Sequence, residues 1–324
     1  MKEVEAYGTF GPSQELEQMK IKRRGLRPTD VQIKISYCGV CHTDIHFARN
    51  ELGMTEYPCV PGHEIIGRVI GIGCDVDKFK IGQLVGVGCM VDSCHDCSSC
   101  NEDLEQFCEK GMVLTYASPD PILGGMTMGG YSQEIVVEQS FVLRLEKNLD
   151  NPGAAPLLCA GITMYSPLRQ YNASRGDRVG IIGLGGLGHM GIKLAAAMGA
   201  EVVAITSSHN KGQDAIELGA DQVLVSSDTV AIESEAGTFD LLINTIPADH
   251  DFSQYLGLLK RDKTMVIVGA SHMKMFSMNL LFGRKKVAGS LIGGIKETQE
   301  MLDFCAKNNI FSDIEIVDIK NINQ

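Results

Sequence analysis

Apolar and polar residues alternate at period two along Asp30-Val31-Gln32-Ile33-Lys34-Ile35-Ser36-Tyr37, which predicts a half-buried strand. The apolar run 65–73 and the stretch 80–87 read as further short strands, and the glycines within 65–73 mark bends or close backbone approaches. Residues 133–137 predict another strand after the glycine-rich turn 124–132. Short strands divided by turns describe a β-rich first part, a partly open barrel. The texture changes between Pro152 and Pro156. A helical pattern begins at Pro156, and near-continuous apolar strands then alternate with helical stretches. The strands fall at 178–182, 201–206, 222–225, 239–244, 264–269 and 286–292, and helices at 189–198, 212–218 and 252–259. That alternation predicts an α/β fold with a parallel sheet covered on both faces. A last helix is expected over 297–308 and a final strand over 314–317.

Composition narrows what such a chain can do. It has 324 residues, room for two ordinary domains, and 44% of them are apolar, enough for a large core. The net charge is −11 and there is no basic run, which argues against nucleic acid as a partner. No apolar run reaches membrane-spanning length, and Met1-Lys2-Glu3-Val4-Glu5 lacks the apolar core of a secretory signal. Eleven cysteines, an odd number, favour metal thiolates and free thiols in a cytoplasmic setting over a disulfide frame.

Four of those cysteines, Cys94, Cys97, Cys100 and Cys108, form a C-x2-C-x2-C-x7-C cluster. Four thiolates close a tetrahedral shell around Zn²⁺ and leave no position for substrate, so this zinc is expected to be structural. An iron–sulfur cluster of the bacterial ferredoxin pattern needs a shorter last spacing and a following proline, and no proline follows Cys108. A second set of zinc-preferring groups lies at Cys41-His42-Thr43-Asp44-Ile45-His46 and His63-Glu64. The strand over 30–37 runs straight into Cys38-Gly39-Val40-Cys41, so Cys41 stands at a strand end or helix start where it can be aimed at a ligand. A catalytic zinc takes three protein ligands and keeps one position open, and Cys41 and His63 are candidates.

Gly183-Leu184-Gly185-Gly186-Leu187-Gly188 is a G-x-G-x-x-G with a strand before it, a helix after it and a second strand at the right distance. The glycines permit a tight turn and let backbone N–H groups reach a pyrophosphate at the helix N-terminus, the Rossmann arrangement. An NAD site places a carboxylate at the end of the second strand. Here that end reads Thr206-Ser207-Ser208-His209-Asn210-Lys211, with hydroxyls and a lysine, while Glu201 is at the other end. This favours NADP(H), although Ser207 and Ser208 also suit helix capping.

Together, 39–44, Pro61-Gly62-His63-Glu64, the four-cysteine lobe, 156–163 and 183–188 resemble a zinc-dependent alcohol dehydrogenase of the medium-chain type. The cinnamyl-alcohol-dehydrogenase-like, NADP-dependent branch with its bacterial broad-range aldehyde reductases is the nearest in pattern. The resemblance implies a partly open, GroES-like β-barrel catalytic domain over 1–150 with its structural-zinc lobe at 89–112. It further implies a Rossmann, doubly wound parallel-sheet domain over 151–294, and a return to the catalytic domain over 295–324. It implies a catalytic zinc on Cys41, His63 and Cys159, with Glu64 as an alternative or transient ligand. By itself Cys159 reads as a buried core cysteine. Thr43 matches the hydroxyl that takes the alcohol proton and His46 the relay to solvent; alone, His46 reads as a surface histidine. Thr206, Ser207, Ser208 and Lys211 match the 2′-phosphate segment, and Thr163 a residue beside the nicotinamide. Leu52, Met54, Cys89 and Val113 suit either a pocket wall or the core.

Two departures accompany the resemblance. The segment 270–276 is a few residues shorter than the family pattern. The pattern also continues with a helix and closing strand past the position of Gln324, so 295–324 is expected to be a truncated return with an exposed sheet edge or core face. The reading that follows is a zinc enzyme with two Zn²⁺ per chain, moving a hydride between NADP(H) and a primary alcohol or aldehyde, and a homodimer. The alternatives are an NAD-linked polyol dehydrogenase and a relative that binds zinc and NADPH without turnover.

Overall fold

The computed structural model describes residues 1–324, the side chain of His209 excepted. The chain divides into two compact units, Met1–Cys159 with Gly293–Gln324, and Ala160–Ile292.

In the first unit β1 (Lys2–Gly8) and β2 (Glu17–Arg23) form an antiparallel hairpin. β3 (Asp30–Cys38) follows and leads directly into α1 (His42–Ala48). Then come β4 (Ile65–Ile72), β5 (Leu84–Val87), β6 (Met90–Asp92), α2 (Ser98–Asn101), β7 (Val113–Leu114), β8 (Glu134–Glu138) and β9 (Leu143–Arg144). Five of these make an antiparallel sheet in the order β8-β3-β4-β5-β9. The period-two pattern of β3 puts Val31 and Ile33 wholly inside and leaves Lys34 exposed. β6 and β7 pair antiparallel, and the four-cysteine stretch is the long connection between them.

The second unit opens with α3 (Ala160–Gln170). Next are β10 (Arg178–Ile182), α4 (Gly186–Ala197), β11 (Glu201–Thr206), α5 (Gly212–Glu217), β12 (Gln222–Val225), α6 (Thr229–Ser234) and β13 (Phe239–Asn244). After them come β14 (His250–Asp251), α7 (Ser253–Leu258), β15 (Leu259–Ile267), β16 (Met273–Lys274), α8 (Met278–Leu281) and β17 (Lys286–Gly289). The six-stranded sheet is parallel in the order β12-β11-β10-β13-β15-β17. This is the doubly wound order, whose direction reverses between β10 and β13. Its strands read as continuous apolar runs because both faces are covered: Val203, Leu242, Phe239 and Met265 are fully buried. The chain re-enters the first unit with α9 (Ile295–Asn308).

Three local expectations differ from the structure. The strand expected over 264–269 begins five residues earlier, at Leu259, because an irregular pairing with Phe239 extends the ladder across polar residues 260–263. The helical pattern expected from Pro156 is broken at Cys159, whose backbone (φ −130°, ψ −71°) separates a 3-10 run, Pro152–Leu158, from α3. Residues 314–317 alternate as a strand would, yet they pair with no sheet edge among the described residues, and Ile316 and Val317 stay 69% and 61% exposed. The chain there is tied down further on, where Ile322 packs on the Val4–Tyr131 cluster and Asn323 exchanges two hydrogen bonds with the backbone of Leu16.

At the start of β3 the Asp30 carboxylate is fully buried and accepts from the guanidinium groups of both Arg24 and Arg27, at 2.9 to 3.0 Å. Burial pushes this carboxyl up, but the two arginines outweigh burial and hold it at about 2. Its folded value is below its unfolded value of about 4, so the pair stabilises the fold above pH 4 and that contribution is lost as pH falls towards 2. Asp30→Ala is expected to lower the unfolding free energy by about 3 kcal/mol at neutral pH and to flatten the pH dependence between 4 and 2, read by urea denaturation across that range.

Candidate functional site

The first unit gathers Cys41, His63, Glu64 and Cys159. One ligand atom from each lies within 4.8 Å of all the others, and the Cys41 and Cys159 sulfurs are 3.9 Å apart. Each is placed by a different element. Cys41 is the N-cap of α1. His63 and Glu64 immediately precede β4, and Cys159 is at the break before α3. Gly39 makes the approach of Glu64 possible, since a Cβ there would sit 1.9 Å from Glu64 Oε2. His63, Glu64 and Cys159 are buried. The donor set is poor company for itself. Burial pushes the Glu64 carboxyl up to about 8. The Cys159 thiol stands at about 12; its hydrogen bond with Cys41 lowers it, but Cys89 and burial outweigh that. The Cys41 thiol is raised by its hydrogen bond with Cys159 and by burial. Several buried groups that resist becoming anions next to one another fit a cation of charge +2 with N, S and O ligands, which is what Zn²⁺ takes.

Asp44 organises this site, and the sequence reading had not singled it out. Its Oδ2 accepts the backbone N–H of Cys41 (2.9 Å) and the Tyr131 hydroxyl (3.1 Å). Its Oδ1 accepts the backbone N–H of Gly62 (3.0 Å) and lies 3.2 Å from His63 Nδ1. Burial pushes the Asp44 carboxyl up, but His63 and these donors hold it below its ordinary value. The carboxylate thus fixes His63 with Nδ1 turned to Asp44, leaving Nε2 for a metal. The available signal was positional: Asp44 is at the third position of α1, where a carboxylate reaches back to the N-cap N–H. Two further residues border the site. Tyr116 is buried with its ring tilted against His63, centroids 5.6 Å apart. The Cys89 thiol donates to Leu158 O and lies against Cys159. Of the other apolar candidates, Leu52 and Met54 are exposed and Val113 is half-buried.

Thr43 and His46 are three residues apart on α1 and so share a face. No hydrogen bond joins their side chains among the described residues; His46 Nδ1 instead meets Glu51 Oε2 at 2.5 Å.

Cys94, Cys97, Cys100 and Cys108 also come together, with sulfurs all within 4.8 Å. Backbone N–H groups point at two of them, Cys94 N to Cys108 Sγ and Glu109 N to Cys97 Sγ. The amides of Glu109 and Cys100 pull the Cys97 thiol down to about 6, whereas Asp96 pushes the Cys94 thiol up to about 12 and burial raises that of Cys100, so it takes a cation to hold all the sulfurs as thiolates. Four converging sulfurs fit a closed zinc shell.

In the second unit the fingerprint occupies the turn between β10 and α4. Gly183 has φ +94°, and a Cβ on Gly188 would be 2.0 Å from Gly183 O, so both positions require glycine. Beyond Gly185 and Gly186 there is open space, and Leu184 and Leu187 flank it half-buried. Thr245 Oγ donates to Ile182 O and lies 3.2 Å from Gly183 O, bracing the turn. At the end of β11, Thr206 is buried, Ser207 is exposed and Ser208 N–H donates to Thr206 Oγ1. Lys211 reaches across to Leu184 O at 3.1 Å, which carries its ammonium to the fingerprint turn. Glu201, at the far end of β11, is engaged with Arg178. Thr163 is buried in the first turn of α3. This cradle fits a dinucleotide carrying a 2′-phosphate.

Residues 27–147 match the alcohol dehydrogenase GroES-like domain family, and 186–307 match the zinc-binding dehydrogenase family. Aldehyde reductase YahK of Escherichia coli (strain K12) is 51% identical over 99% of this chain and 93% of its own length. Among solved structures, cinnamyl alcohol dehydrogenase SbCAD4 from Sorghum bicolor superposes with a TM-score of 0.96 at 42% identity, covering 99% of this chain and 92% of that one. The cinnamyl alcohol dehydrogenase of Helicobacter pylori, solved with NADP(H), gives 0.92 at 41% identity, again covering 99% and 92%. The chain belongs to the medium-chain zinc-dependent alcohol dehydrogenase family, and its likeness to these relatives extends over nearly all its length.

Asp44 would act on a zinc held by His63, so Asp44→Asn is expected to weaken zinc at the Cys41 site by about 10- to 100-fold while leaving zinc at the four cysteines in place. Metal content after graded chelator treatment reads this directly; loss of both zincs in parallel would contradict it.

Proposed function

We propose that this chain is an NADP(H)-linked, zinc-dependent alcohol dehydrogenase that interconverts a primary alcohol and its aldehyde, working mainly as an aldehyde reductase. The observation that carries the reading is the convergence of Cys41, His63, Glu64 and Cys159 in one unit of a chain whose other unit holds the dinucleotide cradle. Bound zinc supplies a Lewis acid for the substrate oxygen, and NADP(H) supplies or accepts the hydride. Cys41, His63 and Cys159 would hold the catalytic zinc, with Glu64 as a further oxygen donor. Cys94, Cys97, Cys100 and Cys108 would hold the structural one.

The protein's own residues then bind, orient and move a proton. Gly183, Leu184, Gly185, Gly186, Leu187 and Gly188 take the pyrophosphate, Thr163 adjoins the nicotinamide, and Thr206, Ser207, Ser208 and Lys211 take the 2′-phosphate. The Thr43 hydroxyl exchanges the proton of the substrate oxygen. His46 passes it to solvent, its Nδ1 held by Glu51 so that Nε2 is the exchanging nitrogen. Absence of a carboxylate at the end of β11 argues against an NAD-linked polyol dehydrogenase. We also place the protein in the cytoplasm, on its eleven free cysteines, and infer a homodimer through β17, an edge strand of the six-stranded sheet.

Metal analysis combined with NADPH oxidation on an aromatic aldehyde tests the whole reading. Two zincs per chain with turnover is expected; two zincs and bound NADPH without turnover would identify a binding relative instead. Ser207→Asp should move the NADP/NAD preference towards NAD by about tenfold or more, by repelling the 2′-phosphate; an unchanged ratio of kcat/KM values would remove Ser207 from that role. Thr43→Val should lower kcat by about 100-fold, within the span of general acid–base contributions, with both zincs retained.

A further inference from the structure

The chain crosses between its two units twice, at Cys159–Ala160 and at Ile292–Gly293. The first crossing carries a metal-site thiol. The second is gripped by the four-cysteine lobe. Ile295 N–H donates to Glu105 Oε2 at 2.9 Å, at the first residue of α9, and Lys296 Nζ meets Asp103 Oδ2 at 2.6 Å. Gly294 lies so close that a Cβ would be 1.9 Å from Asp103 O and 2.7 Å from Glu105 Oε2. Backbone therefore rests on backbone, and only glycine fits. Both lobe residues belong to the loop closed by the cysteines, between Cys100 and Cys108.

Three residues before this grip, Ile292 has φ +37°. A β-branched residue in the left-handed region is strained and persists only where its surroundings enforce it. The exposed Lys296–Asp103 pair adds little. The enforcing contacts are the half-buried Glu105 cap and the Gly294 seat. The lobe has few buried apolar side chains of its own, and a loop of that kind keeps its shape through its metal.

We propose that the four-cysteine lobe is a clamp on the second crossover, with Glu105 a positioning residue for hydride transfer. Zinc in the lobe fixes Glu105, Glu105 fixes the start of α9, and the strained turn at Ile292 is held by that anchor. The kinetic part rests on the function proposed above; the clamp itself does not.

The experiment uses the full-length, zinc-loaded chain and compares Glu105→Ala with Glu105→Gln. Amide hydrogen exchange over 293–297, zinc content, and kcat and KM with NADPH and an aromatic aldehyde are measured together. For Glu105→Ala, two zincs per chain, exchange over 293–297 faster by about tenfold and kcat lower by about tenfold with KM unchanged are expected, the scale of one lost charged hydrogen bond. Glu105→Gln keeps an accepting oxygen and should stay within about threefold of the parent on both readings. In an Ile292→Gly background, where the positive φ is unstrained, Glu105→Ala should alter kcat by less than about threefold. Cys100→Ser, where it folds with one zinc, should reproduce the exchange increase.

Unchanged exchange in Glu105→Ala overturns the clamp. Faster exchange with unchanged kcat overturns the positioning role. If the parent chain itself shows no turnover, the function proposed above fails, and the exchange data still decide the clamp.

Discussion

The Asp44 carboxylate is the interaction on which the rest of the metal site depends. It is buried, it accepts from two backbone amides and a tyrosine, and it touches His63. The two backbone amides belong to Cys41, itself a candidate ligand, and to Gly62, the neighbour of His63, separated by some twenty residues of chain. One charged group therefore sets the start of α1, the turn before β4 and the orientation of the imidazole. A buried anion so arranged is costly to leave unpaired, and its four contacts offset that cost.

Much of this was legible in the sequence, and what was not has a physical reason. The four-cysteine lobe is local: its donors fall within fifteen residues, so spacing alone defines it. The fingerprint is local too, because Gly183 and Gly188 meet across a single turn. Cys159 is different. It is far from Cys41 in sequence, and nothing in its apolar surroundings distinguishes a ligand from a core thiol. Only the fold brings the two sulfurs to 3.9 Å, so family resemblance supplied what spacing could not. Asp44 escaped because it is not itself among the candidate metal donors and its partners, two backbone amides, a tyrosine and His63, come together only in the fold.

Errors of secondary structure follow the same division. Residues 314–317 have the alternation of a strand, but alternation records only which side chains would be covered if a partner existed. Strand formation needs a neighbouring edge, which is tertiary information. At 259–263 the reverse holds: Lys260, Arg261, Asp262 and Lys263 look like a loop, and they form a bulge that the strand carries between the Leu259–Phe239 and Thr264–Leu241 pairs, with Lys260 and Lys263 both reaching Asp240.

The two metal sites divide their work according to how they are assembled. In the lobe the four sulfurs are brought together by local means, within fifteen residues and with backbone amides aimed at two of them, so zinc would find its donors as soon as that loop forms. At the other site the donors come from a helix cap, a turn and the last residue before a unit crossing, and Asp44, through the amides of Cys41 and Gly62, holds two of these elements together. Such a set exists only after the antiparallel sheet has formed. Donors held by the fold and not by one another would let a metal there keep a coordination position open without the site losing its shape. A closed, self-made shell could not do that, and an open shell could not hold a loop with so little core. With Glu105 of the lobe accepting from the first amide of α9 and Cys159 standing at the other crossing, each candidate metal site adjoins one of the two points where the chain changes units.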